Sequence, residues 1–320
     1  MVVIGNTFSV ILFLSMIGGI FTVLTFSVKK VFDISVPLWF SVCGAFMYVF
    51  PIIMPSLRLL PPEIPEWLYG YKVACFIWLL GLSVFAVYFT VRNILAYRAL
   101  LTYRFCENER INNIFINCKK NIGLKRNPKL YFGTLNTPAC ILFSFKPAVI
   151  LNEEIINQLS DEELEIILSH ELMHIKRKHH IIKIFFDIIS IVHWFNPLVW
   201  VAKNDYAIVC ELDCDKKTLS VMNGKTTEII YAKTMFHLLE LFKANRRWQN
   251  RRIEALGFLN TKQRIKNILN QQDITQIRFL RRAILFILVV SVIAISIYIS
   301  RSYFYPYPAF INTTEYIEIK

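Results

Sequence analysis

Four stretches of the chain are apolar and uncharged over a length that suits a membrane-crossing helix. They are residues 7–28, 35–57, 73–91 and 283–300. A helix needs about 20 such residues to span a bilayer. The pattern predicts transmembrane helices at about 7–28, 35–57, 73–96 and 283–300, and a polar segment, 97–282, between the third and the fourth. The first stretch has no basic residues ahead of it and further spans behind it, so it does not read as a cleaved signal peptide. A short tail, 301–320, follows the last span.

Inside the polar segment the periodicity changes. Residues 97–127 read as helical and basic. Residues 129–134 and 138–151 carry short β-prone runs: Leu130-Tyr131-Phe132, Ile141-Leu142-Phe143 and Ala148-Val149-Ile150-Leu151. Pro138 and Pro147 bracket the middle run, which predicts an edge strand. Ile141, Leu142 and Phe143 are therefore candidates to receive an extended peptide by strand addition. A helix is predicted next. Ser160 and Glu163 form a capping-box pair, acidic residues fill the first turn, and Lys176, Arg177 and Lys178 close the last. Residues 181–202 form an apolar stretch interrupted by Lys183, Asp187 and His193. It is expected to dip into the membrane or lie on it, with His193 a structural or interfacial histidine. Helix continues to about residue 270, with turn signals at Asn223-Gly224 and Gly257.

Composition supports the membrane reading. The chain is 55% hydrophobic, with a mean hydropathy of +0.45. Charge then orients it. Of 36 Lys and Arg residues, 29 fall in 97–282, against 18 acidic residues there. The positive-inside rule puts this segment in the cytoplasm and both termini outside. The basic pairs Arg246-Arg247 and Arg251-Arg252 suit a domain beside an anionic leaflet. No DNA-reading module is present, so direct nucleic-acid binding is not expected. The seven cysteines lie in spans or on the reducing side, and no disulfide framework is expected.

The chemistry centres on His170-Glu171-Leu172-Met173-His174. Two histidines four apart on a helix share a face and can hold one metal ion. Glu171 beside them is the candidate general base toward water. A catalytic zinc takes three protein ligands, and Cys210-Glu211-Leu212-Asp213-Cys214-Asp215 is the best source of the third. Glu211 and Asp215 share a face, so one can bind metal while the other hydrogen-bonds a ligand histidine. Asp213 is expected to point elsewhere. Cys210 and Cys214 also share a face and are soft donors, but two histidines and a carboxylate suit hydrolysis better.

In order along the chain come His170-Glu171-Leu172-Met173-His174-Ile175-Lys176-Arg177, His193-Trp194-Phe195-Asn196-Pro197-Leu198-Val199-Trp200, and Glu211-Leu212-Asp213-Cys214-Asp215. With three spans before and one after, this resembles the antirepressor membrane metallopeptidases of the beta-lactam sensor-transducer type, the BlaR/MecR family. The resemblance implies a mainly α membrane protein with a cytoplasmic gluzincin-like α+β zinc domain. It implies His170, His174 and Glu211 as zinc ligands, Glu171 as catalytic acid/base and Asp215 as their hydrogen-bonding support. It further implies cleavage of the chain itself or of a cytoplasmic winged-helix repressor, which induces antibiotic-resistance genes. The sequence departs from the family at His179, where Asp is common, and in having no Gly between Pro138 and Pro147. It also departs at 301–320, where a penicillin-binding sensor domain would follow. A separate extracellular sensor is therefore expected, and a homodimer is a further expectation. The same pattern also suits a membrane quality-control or prenyl-protein peptidase, or a non-catalytic signalling scaffold.

Overall fold

The computed structural model describes residues 2–32, 37–49, 69–133, 139–142, 147–222, 226–244, 261–262 and 264–269, with 287, 290, 291 and 294. The predicted fourth span and tail, and both basic pairs at 246–252, lie almost wholly outside these residues.

Three apolar helices come first. They are α1 (Val2–Phe32), α2 (Leu38–Met47) and α3 (Tyr69–Thr102). Among the described residues, Ile11–Lys30 and Lys72–Thr102 are long and apolar enough to cross a membrane. The second predicted span is represented only by the 10 residues of α2; residues 50–68 lie outside the described residues. The third is longer than expected, because no breaker interrupts it before Thr102. Arg92 within it donates to Asp187 at 3.0 Å. One long face of α3 is bare: Phe76, Leu80, Val84 and Val87 are all exposed.

The predicted helix over 97–127 is divided. Strand β1 (Arg104–Phe105) separates α3 from α4 (Glu109–Ile122). Asn108 caps α4 by accepting from Ile111 N, and Gly123 ends it at φ 70°, a left-handed conformation that glycine adopts without strain. Strands β2 (Lys129–Phe132), β3 (Ala139–Leu142) and β4 (Ala148–Leu151) complete a sheet of order β1-β2-β4-β3. Strand β4 is interior and buried throughout, which suits its unbroken apolar run. Strand β3 pairs antiparallel with β4 and forms the sheet edge, as the flanking prolines predict.

Helices α5 (Glu153–Ile156) and α6 (Asp161–Lys176) follow. The predicted capping box is formed: Ser160 N donates to Glu163, and Glu163 N donates to the Ser160 hydroxyl. The main core joins Ile111 and Phe115 of α4, Val149 and Leu151 of β4, and Leu164, Leu168 and Leu172 of α6. Burying such side chains is worth about 1.5–3 kcal/mol each, so the apolar stripe of α6 clamps the helix between α4 and the sheet.

The apolar stretch at 181–202 becomes a helical hairpin, α7 (His179–Val192) and α8 (Pro197–Val221). It packs against the apolar helices rather than standing apart. Trp78 Nε1 donates to Val192 O at 3.0 Å, and Trp194 Nε1 donates to Trp78 O at 3.2 Å. A Cβ at Gly81 would lie 2.1 Å from the Trp194 ring, so only glycine admits this contact. Asn196 caps α8 by accepting from Leu198 N and also donates to Ser15 O of α1. His193, expected to be structural or interfacial, is buried against Tyr48 in an aromatic contact of 5.3 Å.

Helix α8 therefore has two halves with different neighbours. Near its start, Asp205 pairs with Lys29 of α1, and Lys203 pairs with Asp187 at 2.6 Å. Its later turns lie on α6. Helix α9 (Glu228–Ala244) and a helical stretch at 264–269 close the far side. Ile166, Tyr231, Met235 and Ile268 meet there.

Candidate metal centre

Helix α6 presents His170 and His174 on one face, and α8 crosses it with Glu211. The donor groups of three residues converge. His170 Nε2 is 3.2 Å from His174 Nε2 and 3.3 Å from Glu211 Oε2, and His174 Nε2 is 3.5 Å from Glu211 Oε1. Ligand atoms about 2.0–2.2 Å from one tetrahedral ion stand roughly 3.3 Å apart. The three residues therefore fit a small divalent ion held by two imidazoles and a carboxylate. Neither cysteine joins them. Cys210 packs with Phe186 and Tyr206, and Cys214 is fully buried beside His179.

Asp215, one turn beyond Glu211, sits behind His170. Its Oδ1 is 3.1 Å from His170 Nδ1. Two residues that the sequence reading missed complete this corner. Tyr231 of α9 donates its hydroxyl to Asp215 Oδ1 at 2.8 Å and lies 3.0 Å from His170 Nδ1. Arg264 grips Asp215 with Nε at 2.7 Å and Nη2 at 2.6 Å, and its Nη1 lies 3.1 Å from Glu211 Oε2. A signal for Arg264 existed. Thr261-Lys262-Gln263-Arg264-Ile265-Lys266-Asn267-Ile268 places this arginine one turn from Ile268, on the apolar face. Tyr231 carried no such mark, since a buried tyrosine is common packing.

The electrostatics follow from this crowding. Burial opposes charge on Glu211 and Asp215, but the Arg264 guanidinium outweighs it and holds both carboxyls well below the usual range. Burial also opposes charge on His170, yet its bonds to Asp215 and Glu211 raise its pKa to about 9. His174 goes the other way. Burial, with the nearby positive charges, lowers it to about 3 and keeps its ring neutral. Burial pushes Glu171 up to about 7, with the Glu211 charge adding to the rise and that of His170 opposing it. A carboxyl poised near neutrality can both take and return a proton.

Asp213 points away from the three converging groups, as expected, and takes Arg177 at 2.8 Å. Ile141 and Leu142 lie on the edge strand β3, which packs beside α6. Phe143 lies outside the described residues.

A helix bearing two histidines, a crossing helix with a carboxylate, and a small mixed sheet alongside fit the class of metallopeptidases. Residues 61–268 match the family described as BlaR1 peptidase M56, and the chain belongs to that family. It is 24% identical over 217 residues to the regulatory protein BlaR1 of Bacillus licheniformis, covering 68% of this chain and 36% of that protein. It is 30% identical over 78 residues to the methicillin resistance mecR1 protein of Staphylococcus aureus, covering 24% of this chain and 13% of that protein. With the Staphylococcus aureus regulatory protein BlaR1 it shares 27% over 119 residues, 37% of this chain and 19% of that one. The chain thus spans well under half the length of each of these relatives.

Proposed function

We propose that this chain is a membrane-embedded zinc endopeptidase of a transmembrane signalling system, which cleaves itself or a cytoplasmic winged-helix repressor and so induces antibiotic-resistance genes. The observation that carries the reading is the convergence of His170 and His174 of α6 with Glu211 of α8 next to Glu171, α8 also packing against α1 and α2. The names of the relatives, a regulatory protein and a methicillin resistance protein, support the signalling role.

Zinc bound by His170, His174 and Glu211 would supply Lewis acidity, polarising the scissile carbonyl and making water acidic enough to attack near neutral pH. Glu171 takes the proton from the attacking water and returns it to the leaving amine. Asp215 and Tyr231 orient His170 through its Nδ1. Arg264 balances the charge of Glu211 and Asp215. The substrate lies extended along β3, at Ile141 and Leu142, as an added strand.

The bare face of α3 meets lipid, with α1, α2 and the segment 283–300 as the remaining spans. The peptidase domain faces the cytoplasm and both termini lie outside. A partner sensor outside the cell, and a second copy of the chain, complete the assembly. Signals from the spans reach the site through α8, which touches α1 and α2 as far along as Val209 and carries Glu211 two residues further on.

Mass spectrometry of membranes carrying the wild-type chain or Glu171→Ala tests the peptidase reading. Wild-type membranes should yield fragments of the chain or of a DNA-binding repressor, and the variant should not. The same fragments from the variant would sink it.

A further inference from the structure

His174 has two ring nitrogens in different surroundings. Nε2 faces His170 and Glu211, while Nδ1 lies 3.1 Å from His179 Nδ1. Two nitrogens at that distance must be one donor and one acceptor. A neutral ring that offers its Nε2 lone pair to a metal carries its proton on Nδ1. His174 Nδ1 is therefore the donor and His179 Nδ1 the acceptor. That assigns the His179 proton to Nε2.

His179 is 4% exposed, and its Nε2 has no hydrogen-bond partner among the described residues. The charge it faces is Asp213 Oδ2, 3.6 Å away. That is longer than a hydrogen bond, so the carboxylate acts on the ring through its field. Asp213 is in turn held by Arg177, whose Nε and Nη2 lie 2.8 and 3.3 Å from its two oxygens. The backbone contributes too. Lys178, between α6 and α7, has φ 58°, the one non-glycine residue with positive φ among the described residues. A lysine in the left-handed region carries a local steric cost. The turn it makes brings His179, the first residue of α7, back beneath His174.

Resting on the zinc-peptidase reading, we infer that His179 is a positioning residue through which Asp213 acts on His174. The chain of contacts Arg177, Asp213, His179, His174 fixes the tautomer and ring plane of His174 and strengthens its Nε2 as a donor. Asp213, which the sequence reading sent elsewhere, thus serves the site at one imidazole's remove.

A competing use of the same atoms exists. His174 Nδ1, His179 Nδ1 and Cys214 Sγ lie within 4.8 Å of one another and could hold a second ion. That would strip both ring protons from His174 while it also served the first ion. The hydrogen-bonded chain needs no such step.

The test measures zinc affinity of the full chain in detergent, by competition with a chromophoric chelator, with zinc stoichiometry and far-UV circular dichroism alongside. His179→Phe fills the space without an acceptor and should weaken zinc binding about 10–100-fold. His179→Asn keeps an oxygen acceptor for His174 and should recover most of that loss. Asp213→Asn should weaken binding several-fold in the wild type and change nothing in the His179→Asn background, because the link is already cut. Equal affinity in wild type and His179→Phe, or an equal Asp213→Asn effect in both backgrounds, would overturn the inference. So would two zinc ions per wild-type chain, which would assign Cys214 and His179 to a second metal site. If the wild type binds no zinc at all, the peptidase reading itself falls; if it binds zinc and the His179 variants bind it equally, only the positioning role falls.

Discussion

Replacing Arg264 by Met tests the charge balance of the centre. Asp215 is 1% exposed and receives two guanidinium bonds, at 2.7 and 2.6 Å. Methionine keeps much of the volume and removes the cation. Among the described residues Asp215 then retains Tyr231 and His170 as partners. Removing one member of a buried ion pair costs about 3–5 kcal/mol, because the other charge is left uncompensated. His170, held in its charged form by the same carboxylate, offsets part of this, so the lower end, about 3 kcal/mol, is expected. At about 2–4 °C per kcal/mol for a domain of this size, melting should fall by roughly 6–12 °C in chelator-treated protein. Zinc adds a positive charge beside Glu211, so the loss should shrink when the protein is loaded. In an Asp215→Asn background Glu211 is the carboxylate left facing the cation, so the same Arg264→Met change should cost clearly less than in the wild type. The assay is thermal melting followed by circular dichroism in detergent, with and without zinc. Melting within about 1 °C of wild type in the zinc-free state would refute the reasoning. So would equal losses in the two backgrounds, since then Arg264 would not be acting through Asp215.

Other expectations are as direct. Glu171→Gln should lower peptide cleavage by about 10²–10⁴-fold while leaving zinc content unchanged; loss of zinc in that variant would instead make Glu171 a ligand or a fold determinant. Glu211→Ala should abolish tight zinc binding, read by metal analysis after dialysis, and retention of one tight zinc would move the third ligand elsewhere. Glu163 tests the start of α6. Burial favours its neutral form, but bonds from Ser160 and His237 outweigh this and lower its pKa. A carboxyl depressed in the folded state stabilises it above the ordinary carboxyl pKa, and this is lost as pH falls through the folded value. Glu163→Gln should therefore cost about 1 kcal/mol at neutral pH and little in acid, and a pH-independent cost would contradict the capping role.

Much of the site was legible because its parts are local. A four-residue spacing on a helix puts two side chains on one face whatever the helix packs against, so His170 and His174 could be paired on the page, and Glu211 with Asp215. The capping box of α6 and the interior character of β4 are similarly local, carried by short runs with their own chemistry. The helix expected over 97–127 failed at β1 for the opposite reason. Arg104 and Phe105 have no strand signal of their own and become extended by pairing with Tyr131 and Phe132. The segment 181–202 read as apolar and as dipping into the membrane or lying on it, and its Trp contacts with α3 show which helix it packs against.

By itself, the amino-acid order determined which residues could do chemistry, which helices bear them, and which stretches are too apolar to stand in water. Helical period and transfer free energy act within a few turns, so they need no partner. Only the tertiary structure decided how the centre is completed. Arg264 is 94 residues from His170 and Tyr231 is 61, and no periodicity links either to the motif. They arrive because Ile268 and Met235 are drawn into the same apolar cluster as Ile166 of the metal-bearing helix. Hydrophobic burial, which has no direction of its own, thus sets two directional polar groups against Asp215 and makes two facing helices into a centre with balanced charge.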